Sequence, residues 1–224
     1  MGLWSSKPKA HIIGLTGGIA SGKSTVRELL AAQGASVLDA DLLGHKCYEP
    51  GSACLREVVS VFGEGILNPD GTLNRPALGA IVFSDKEQLP KLNATVWPYI
   101  RRMVEEEIAS FRSGAGGVLV VEAAVMIEAD WLDLFDEVWV CYVSPDIARA
   151  RLMQRNNFPA SEADKRIEAQ ISNAERLKKA SLSILNDSDR DNLEQTVKGE
   201  WKALQSRLGI TEPAQEASEP PSRM

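Results

Sequence analysis

The stretch Gly17-Gly18-Ile19-Ala20-Ser21-Gly22-Lys23-Ser24-Thr25 decides the fold that the sequence predicts. It follows the apolar run 11–15 and leads into an amphipathic segment at 26–33, so we expect a strand, a glycine-rich loop and a helix in that order. The spacing G-x-x-x-x-G-K-S is typical of a phosphate-binding loop. Its glycines let the backbone approach phosphate oxygens without an intervening side chain. The sequence therefore predicts an α/β fold built around a nucleotide site.

The residues of this loop have expected roles that follow from their chemistry. The backbone amides from 20 to 24 and the start of the helix should bind the phosphates of ATP. Lys23 should reach the β- and γ-phosphates, and the Ser24 hydroxyl should hold Mg²⁺. Asn186, which follows the last predicted strand, is expected to frame the adenine. The predicted nucleotide contacts are Gly17, Gly18, Ala20, Ser21, Gly22, Lys23, Ser24, Thr25 and Asn186.

Composition narrows the class of protein. The chain has 224 residues, of which 44% are hydrophobic and 25% charged, which is ordinary for one large globular domain with an insertion. The net charge is −6 and no basic run exceeds two residues, which argues against a nucleic-acid partner. Three cysteines without zinc spacing indicate no disulfide framework, and two histidines make a His-based metal site improbable. We find no apolar run of membrane-spanning length and expect a cytoplasmic protein.

The two ends of the chain differ from the rest. Residues 1–10 are predicted to be a flexible N-terminus, and residues 211–224 a disordered tail rich in Glu, Pro, Ser and Ala. The start Met1-Gly2 with Ser6 fits the pattern for N-myristoylation of Gly2. One acyl chain would give only weak membrane association.

Three carboxylates follow two of the predicted strands. The strand at 35–38 places Asp39 and Asp41 at the sheet edge where ligands bind in open α/β sheets. Asp39 is expected to bind Mg²⁺ through water, and Asp41 to orient or deprotonate the hydroxyl being phosphorylated. The alternative is that both cap a helix that begins at about Leu42. Glu122 ends the strand at 118–122, in a position resembling that of a metal-binding Walker-B acid.

Residues 42–117 are predicted to form a helical insertion that binds the second substrate. Its helices are expected at 55–62, 76–83 and 98–111, with a turn at Asn68-Pro69-Asp70-Gly71. Asn74, Arg75 and Trp97 are candidate substrate contacts. Helix capping by Asn74 and core packing of Trp97 are equally compatible with the sequence.

The remaining part of the chain carries a group of arginines. A strand at 137–143 precedes a helix opened by Ser144-Pro145, whose spacing puts Arg151 and Arg155 on one face near Arg149. Ser161 to Asp164 resembles a capping box for one long helix through Leu177. A strand at 182–185 and a final helix capped by Asp191 and Glu194 complete the pattern. The polar segment 155–180 is predicted to be a lid.

These stretches together resemble the dephospho-CoA kinase family over about 11–208. The matching residues are Gly14 to Ile19, Gly22 to Thr25, Asp39, Asp41, Asn74, Arg75, Leu78, Val82, Phe83, Trp97, Pro98, Glu128, Arg151 to Met153, Arg155, Arg166, Ile167, Gln170 and Asn186. The resemblance implies a P-loop NTPase-type five-stranded parallel sheet. It divides the kinase domain 11–210 into a nucleotide core (11–41, 118–154 and 181–210), a helical substrate-binding insertion (42–117) and a helical lid (155–180).

The resemblance also implies a reaction and its residues. The γ-phosphoryl group of ATP would pass to the ribose 3′-hydroxyl of dephospho-CoA, giving coenzyme A and ADP, with Mg²⁺ as cofactor. Asp41, Lys23, Arg151 and Arg155 match the catalytic positions. The expected substrate contacts are Asp39, Asp41, Asn74, Arg75, Trp97, Glu128, Arg166 and Gln170, and the expected metal ligands are Ser24, Asp39 and Glu122. Glu128 is expected either to bind substrate or to orient an arginine, or else to lie at the surface.

Some positions depart from the bacterial pattern. Glu122 stands where many members have Asp, Trp97-Pro98 where His-Pro is usual, and Ala148 where Gln is common. These forms are similar to the kinase half of the bifunctional coenzyme A synthase of animals. The ten residues before His11 are too few for an adenylyltransferase domain, so we expect either the second step alone or the kinase part of a longer protein.

Sequence features disfavour three functions other than that of a dephospho-CoA kinase. A shikimate-type kinase also carries paired aspartates, but the long insertion disfavours it. The second alternative is a nucleotide-dependent switch protein that binds partners and turns over slowly. The sequence lacks the guanine-reading Asn-Lys-x-Asp motif, which disfavours a GTPase switch. A catalytically silent kinase-like domain is disfavoured by the presence of Lys23, Ser24 and Asp41.

Overall fold

A computed structural model describes residues 9–114 and 116–210 of the chain. The predictions for the N-terminal pattern around Gly2 and for the tail 211–224 lie outside the described residues. No helix within the described part is both long and apolar enough to cross a membrane.

The described residues contain one five-stranded parallel sheet with the order β2-β3-β1-β4-β5. Its strands are β1 (His11–Gly17), β2 (Ser36–Asp39), β3 (Val118–Glu122), β4 (Glu137–Tyr142) and β5 (Leu182–Leu185). The central strands are continuous apolar runs because helices cover both faces of the sheet. In the register, Glu122 lies opposite both Leu15 and Asp39, so two carboxylates meet at the carboxyl edge beside the loop after β1. The predicted α/β fold is confirmed.

Nine α-helices accompany the strands in the described ranges. They are α1 (Lys23–Ala32), α2 (Ala40–Lys46), α3 (Ala53–Phe62), α4 (Arg75–Ser84), α5 (Gln88–Ser113), α6 (Pro145–Asn156), α7 (Ala160–Glu168), α8 (Asn173–Leu177) and α9 (Arg190–Leu208). Helices α1 and α9 cover one face of the sheet with a buried cluster that includes Leu30, Trp139 and Trp201. Helices α2 and α5 cover the other face through Leu43, Val104 and other apolar side chains.

The predicted insertion has a hydrophobic cluster of its own. Side chains of α3, α4 and α5 pack together around Val58, Val82 and Val96. Cys47 and Cys54 belong to this cluster, while Cys141 lies in the sheet, and all three are free and buried. Burial raises the pKa of Cys54 to about 12, which keeps its thiol protonated and unreactive. All three cysteines are therefore buried thiols that pack in the apolar interior of the described structure.

The structure corrects several predicted helix ends. Helix α5 begins at Gln88, not at Pro98, which lies inside the helix. A proline removes one N–H donor, and the packing of Val96, Val104 and Ile108 carries this 26-residue helix past that position. The final helix is capped by Asp189, whose carboxylate accepts from the amide of Asn192 at 2.9 Å, and not by Asp191. The turn from Asn68 to Gly71 is as predicted, with the Gly71 amide donating to the Asn68 carbonyl.

The predicted lid consists of two short helices rather than one long one. Helix α7 begins after Pro159, so Ser161 lies within it and caps nothing. The chain leaves the helix after Glu168 and starts α8 at the capping residue Ser172, whose hydroxyl accepts from the amide of Glu175 at 3.2 Å. The other bounds differ slightly: β1 extends beyond Leu15 to Gly17, β2 is shifted by one residue, α2 begins at Ala40, and β4 ends at Tyr142.

Candidate active site

The loop between β1 and α1 has the backbone geometry of an anion cradle. Gly22 has a φ of 91°, and a Cβ there would lie 2.3 Å from Asn186 Nδ2. A Cβ at Gly17 would lie 2.0 Å from the Cys141 carbonyl oxygen, so only glycine fits at either position. Within the described residues no side chain caps α1, which leaves its N-terminal amides open to phosphate. The loop fits the phosphates of a nucleotide.

Two of the loop's amides are already engaged. The amide of Ser21 donates to the Gly18 carbonyl at 3.2 Å, and that of Ile19 donates to Gln170 Oε1 at 2.7 Å. Of the amides from 20 to 24 that were predicted to bind phosphate, the Ser21 amide is therefore already used in a hydrogen bond within the loop. The Ser21 hydroxyl is buried and has no partner in the described structure.

The loop is held from behind by three side chains. Asn186 Nδ2 and the Cys141 thiol both donate to the Ser21 carbonyl, at 2.8 and 3.1 Å. Arg151 donates to the carbonyls of Ala20 and Asn186, at 3.2 and 2.8 Å. Because these bonds fix carbonyls on one side of the loop, its remaining amides are oriented before a ligand binds.

A cavity of about 410 Å³ adjoins this supported side of the loop. The structure brings the predicted residues Arg151, Arg155 and Asn186 together on its walls. Arg155 makes a hydrogen bond to Asn156 and none to the loop, so its guanidinium is exposed at the cavity. The other lining residues are Ala20, Gly22, Thr25, Gln154, Ser188, Arg190 and Leu193. The position after β5 and beside α6 suits the base and ribose of a bound nucleotide.

The two aspartates after β2 have different surroundings. Asp39 caps α2, and its Oδ1 accepts from the amides of Asp41 and Leu42 at 3.0 and 3.2 Å. Its other oxygen is hydrogen-bonded to Arg27. Asp39 therefore has the capping role that was the alternative interpretation, and Asp41 does not cap the helix.

Asp41 is an exposed residue in the first turn of α2, and its carboxylate makes no ion pair among the described residues. Partial burial raises its pKa above 3.8, and the charge of Asp39 adds to this effect. The charge of Lys23 and a hydrogen bond from the Ala124 backbone oppose the rise. The charge of Lys23 thus favours the ionised form of the Asp41 carboxylate.

A magnesium ion fits beside Ser24. The Ser24 hydroxyl donates to Glu122 Oε1 at 3.0 Å, and the buried Glu122 Oε2, which accepts no hydrogen bond, lies 3.1 Å from Arg27 Nη1. The Ser24 oxygen can bind a metal ion directly, and Glu122 Oε1 can accept from a water of its hydration shell. In residues 9–114 and 116–210 there is no cluster of three or more His, Cys, Asp or Glu that would hold a metal alone. Magnesium usually takes one or two protein ligands plus substrate phosphates, so this set suffices.

The predicted lid meets the loop through Gln170 and Arg176. Arg176 is 2% exposed, and its Nη2 lies 3.5 Å from Glu128 Oε1. A Cβ at Gly18 would lie 3.3 Å from Arg176 Nη1, so this guanidinium supports the first glycines of the loop. Burial lowers the pKa of Arg176, and the charge of Glu128 partly offsets that effect. Glu128 thus lies against an arginine, as one of the alternatives for it expected.

Four other predicted substrate residues have local contacts. Asn74 Oδ1 accepts from the amide of Ala77 at 3.0 Å and so caps α4. Arg75 lies over the ring of Tyr48, and Trp97 packs against the apolar cluster of the sheet. Arg166 lies over the ring of Phe158 and bonds to Glu162. None of them lines the cavity beside the loop.

Two residues of the site were missed by the sequence analysis. Arg27 pairs with both Asp39 and Glu122, and Arg176 is a buried cation that lies under the loop and pairs with Glu128. The signal for Arg27 was its place three residues after Ser24 on the same helix face. Arg176 carried no comparable signal because its partner Glu128 is distant in sequence.

A phosphate loop that faces a carboxylate across the carboxyl edge of a parallel sheet is the arrangement of phosphate-loop kinases, and the fold and site define this class of protein. Comparison with protein families matches residues 11–192 to the dephospho-CoA kinase family. The chain belongs to the dephospho-CoA kinase family and is a kinase of coenzyme A biosynthesis.

Individual relatives agree with this assignment. The dephospho-CoA kinase of Geobacter sulfurreducens is 42% identical over 191 residues, which cover 85% of this chain and 97% of that protein. That of Geobacillus kaustophilus is 42% identical over 197 residues, which cover 86% of this chain and 98% of that protein. The solved dephospho-CoA kinase from Campylobacter jejuni superposes with a TM-score of 0.65 at 28% identity, covering 88% of this chain and 98% of its own. Similarity to the animal coenzyme A synthase form stays a prediction.

Proposed function

We propose that the protein transfers the γ-phosphoryl group of ATP to the ribose 3′-hydroxyl of dephospho-CoA, giving coenzyme A and ADP. The observation that carries this proposal is the placement of Asp41 at the start of α2, where Asp39 caps the helix and holds the Asp41 amide at the same edge of the sheet as the phosphate loop. A loop alone indicates a nucleotide, whereas a loop with a free carboxylate beside it supports transfer to a hydroxyl acceptor.

Asp41 is the residue proposed to accept the proton of the acceptor hydroxyl. Its pKa, raised by desolvation, makes it a stronger base than an ordinary aspartate. Asp39 holds the start of α2 by capping it, and so keeps Asp41 at the edge of the sheet. The proton would pass from the 3′-hydroxyl oxygen to an Asp41 oxygen as the oxygen–phosphorus bond forms and the β–γ bridge bond of ATP breaks.

Positive charge around the transferred group would come from three side chains. Lys23 reaches from the start of α1 toward the β- and γ-phosphates. Arg151 fixes the loop, while Arg155 is free to turn toward the phosphates when the lid segment closes. Magnesium, held by Ser24 with Glu122 behind it, would neutralise charge on the β- and γ-phosphoryl oxygens. Positioning and charge neutralisation account for most of the rate in such reactions.

The acceptor is proposed to lie between the loop and the insertion. Gln170 accepts from the loop amide of Ile19, and Glu128 contacts Arg176 of the predicted lid. Asn74, Arg75, Trp97 and Arg166 would contribute only through exposed atoms or after a change of conformation. A shikimate kinase from Bacteroides thetaiotaomicron shares the fold with a TM-score of 0.52, but at 18% identity it says nothing about the acceptor.

The reaction is tested by following ADP release with ATP, Mg²⁺ and dephospho-CoA, with mass spectrometry of the product. We expect a gain of one phosphate on the ribose of dephospho-CoA, and no turnover with shikimate. Turnover with shikimate but not with dephospho-CoA would refute the proposed acceptor. ATP binding without turnover on either acceptor would refute the proposed activity.

A further inference from the structure

Arg27 joins two carboxylates that were predicted to bind metal. Its Nη1 is hydrogen-bonded to Asp39 Oδ2 and lies 3.1 Å from Glu122 Oε2. All three side chains are largely buried, with exposures of 21% for Arg27, 22% for Asp39 and 4% for Glu122. The register of β2 and β3 places Asp39 directly opposite Glu122, so the two negative charges are neighbours whatever their rotamers.

These contacts form a continuous path through the site. Ser24 donates to one oxygen of Glu122, Arg27 contacts the other, and Arg27 also binds Asp39. Asp39 in turn accepts from the amide of Asp41. The path therefore runs from the serine of the phosphate loop to the backbone of the proposed base, and Arg27 is its central cation.

The charge of Arg27 decides what the two carboxylates can bind. Two neighbouring, poorly hydrated carboxylates repel each other unless a cation lies between them. Such a pair beside a serine hydroxyl is also an oxygen-ligand set that Mg²⁺ and Mn²⁺ accept. In this protein the guanidinium already occupies the position between the two carboxylates.

We propose that Arg27 is a positioning residue that occupies the cation position between Asp39 and Glu122. It thereby prevents a divalent cation from binding there in the absence of nucleotide. It also fixes the position of Asp41 relative to Ser24. The proposal rests on the proposed kinase function only for the role of Asp41. Its charge-exclusion part is tested without turnover, so its failure is distinguishable from failure of the proposed reaction.

The test is titration of the nucleotide-free protein with Mn²⁺ alone, read as loss of the free Mn²⁺ signal in electron paramagnetic resonance. We expect Arg27→Met to bind one Mn²⁺ at least about tenfold more tightly than the unchanged protein, because a unit charge has been removed from between two carboxylates. Arg27→Lys keeps the charge and should behave as the unchanged protein. Arg27→Met combined with Glu122→Gln should lose the added site.

Matched variants separate this effect from loss of structure. The control is Arg112→Met. Arg112 pairs with Asp136 at the opposite edge of the sheet, so its removal should leave Mn²⁺ binding unchanged. Mn²⁺ should also raise the unfolding temperature of Arg27→Met more than that of the unchanged protein, because a ligand that binds only the folded state stabilises it. If Arg27→Met does not fold, Arg27→Gln removes the same charge with a polar side chain and replaces it in every comparison.

Kinetics give the readout for positioning. With ATP and acceptor present, Arg27→Met should lower kcat more than it raises the KM for ATP, and Arg27→Lys should restore most of kcat. Equal Mn²⁺ affinity in Arg27→Met, Arg27→Lys and the unchanged protein would overturn the proposal. So would tighter Mn²⁺ binding that persists after Glu122→Gln.

Discussion

The phosphate-loop half of the molecule and the helical insertion use their polar residues differently. In the loop half, side chains from distant parts of the chain converge on the loop: Gln170 bonds to Ile19, Asn186 to Ser21, and Arg151 to Ala20. In the insertion, the predicted substrate residues do not converge on one point: Asn74 caps its own helix, and Arg75 lies over the ring of Tyr48. Polar contacts that converge on a loop before ligand binding are typical of a preformed site. We therefore propose that the nucleotide site is preorganised, and that the insertion, as the proposed acceptor region, is organised only when the acceptor binds.

The sharpest test of the loop half is Asp41→Asn. If Asp41 is the base, removing its charge should lower kcat by about 10³-fold, within the range that general base catalysis contributes. ATP affinity, measured by calorimetry without acceptor, should change by less than about threefold because the loop contacts are untouched. Asp70→Asn, on an exposed turn of the insertion, is the control and should leave both quantities unchanged. Unchanged turnover in Asp41→Asn would show that Asp41 is not the proton acceptor.

Glu128→Gln tests how much the ion pair between Arg176 and Glu128, which lies under the loop, contributes to stability. The substitution leaves the buried Arg176 without its counter-charge, and breaking a buried pair costs about 3 kcal/mol of unfolding free energy. Asp133→Asn is the control because it breaks the exposed pair with Arg101, which should cost less than about 1 kcal/mol. Urea unfolding of both variants gives the two values. Similar small losses would mean that Arg176 is not held by Glu128 in solution.

Arg151 and Arg155 should differ although they lie one helical turn apart. Arg151→Met removes one bond to the loop carbonyl of Ala20 and one to the carbonyl of Asn186, and should raise the KM for ATP by about tenfold. Arg155→Met removes no bond to the loop, so we expect a lower kcat with the KM for ATP within about threefold. Steady-state kinetics with varied ATP separates the two. An equal rise in KM for both variants would contradict the inference that Arg151, and not Arg155, supports the loop.

The raised pKa of Asp41 predicts a pH dependence. The acid limb of kcat/KM for the acceptor should lie above 3.8 and fall about tenfold per pH unit below that pKa. Because the folded pKa exceeds the unfolded one, the protonated form is favoured in the folded state. The associated stability is fully present below the unfolded pKa and is lost as pH rises through the folded pKa. Asp41→Asn should therefore be at least as stable as the unchanged protein at neutral pH, which thermal unfolding measures.

The sequence predicted the parts of the molecule whose residue spacing is imposed by a ligand or by a buried strand. The loop from Gly17 to Ser24 and the strands β3 and β5 fall where they were expected. The start of α5 was misplaced because Pro98 is a strong local signal that tertiary packing overrides. The break between α7 and α8 was missed because the periodicity continues through it. Arg27 and Arg176 act through partners that only the folded chain brings near.

The smallest expected effect concerns Asn74, and it tests the insertion directly. Asn74→Ala removes the cap of α4 and should cost about 1 kcal/mol of unfolding free energy. The KM for dephospho-CoA should stay within about twofold if the side chain serves its helix alone. Asp189→Ala removes the equivalent cap of α9 in the nucleotide half and controls for the loss of stability. A rise in the KM for dephospho-CoA in Asn74→Ala but not in Asp189→Ala would make the cap a substrate ligand as well. The side-chain oxygen of Asn74 accepts from the Ala77 amide, so its side-chain N–H groups stay available to a ligand. The insertion would then hold a substrate ligand in place before the acceptor binds, as the loop does for the nucleotide.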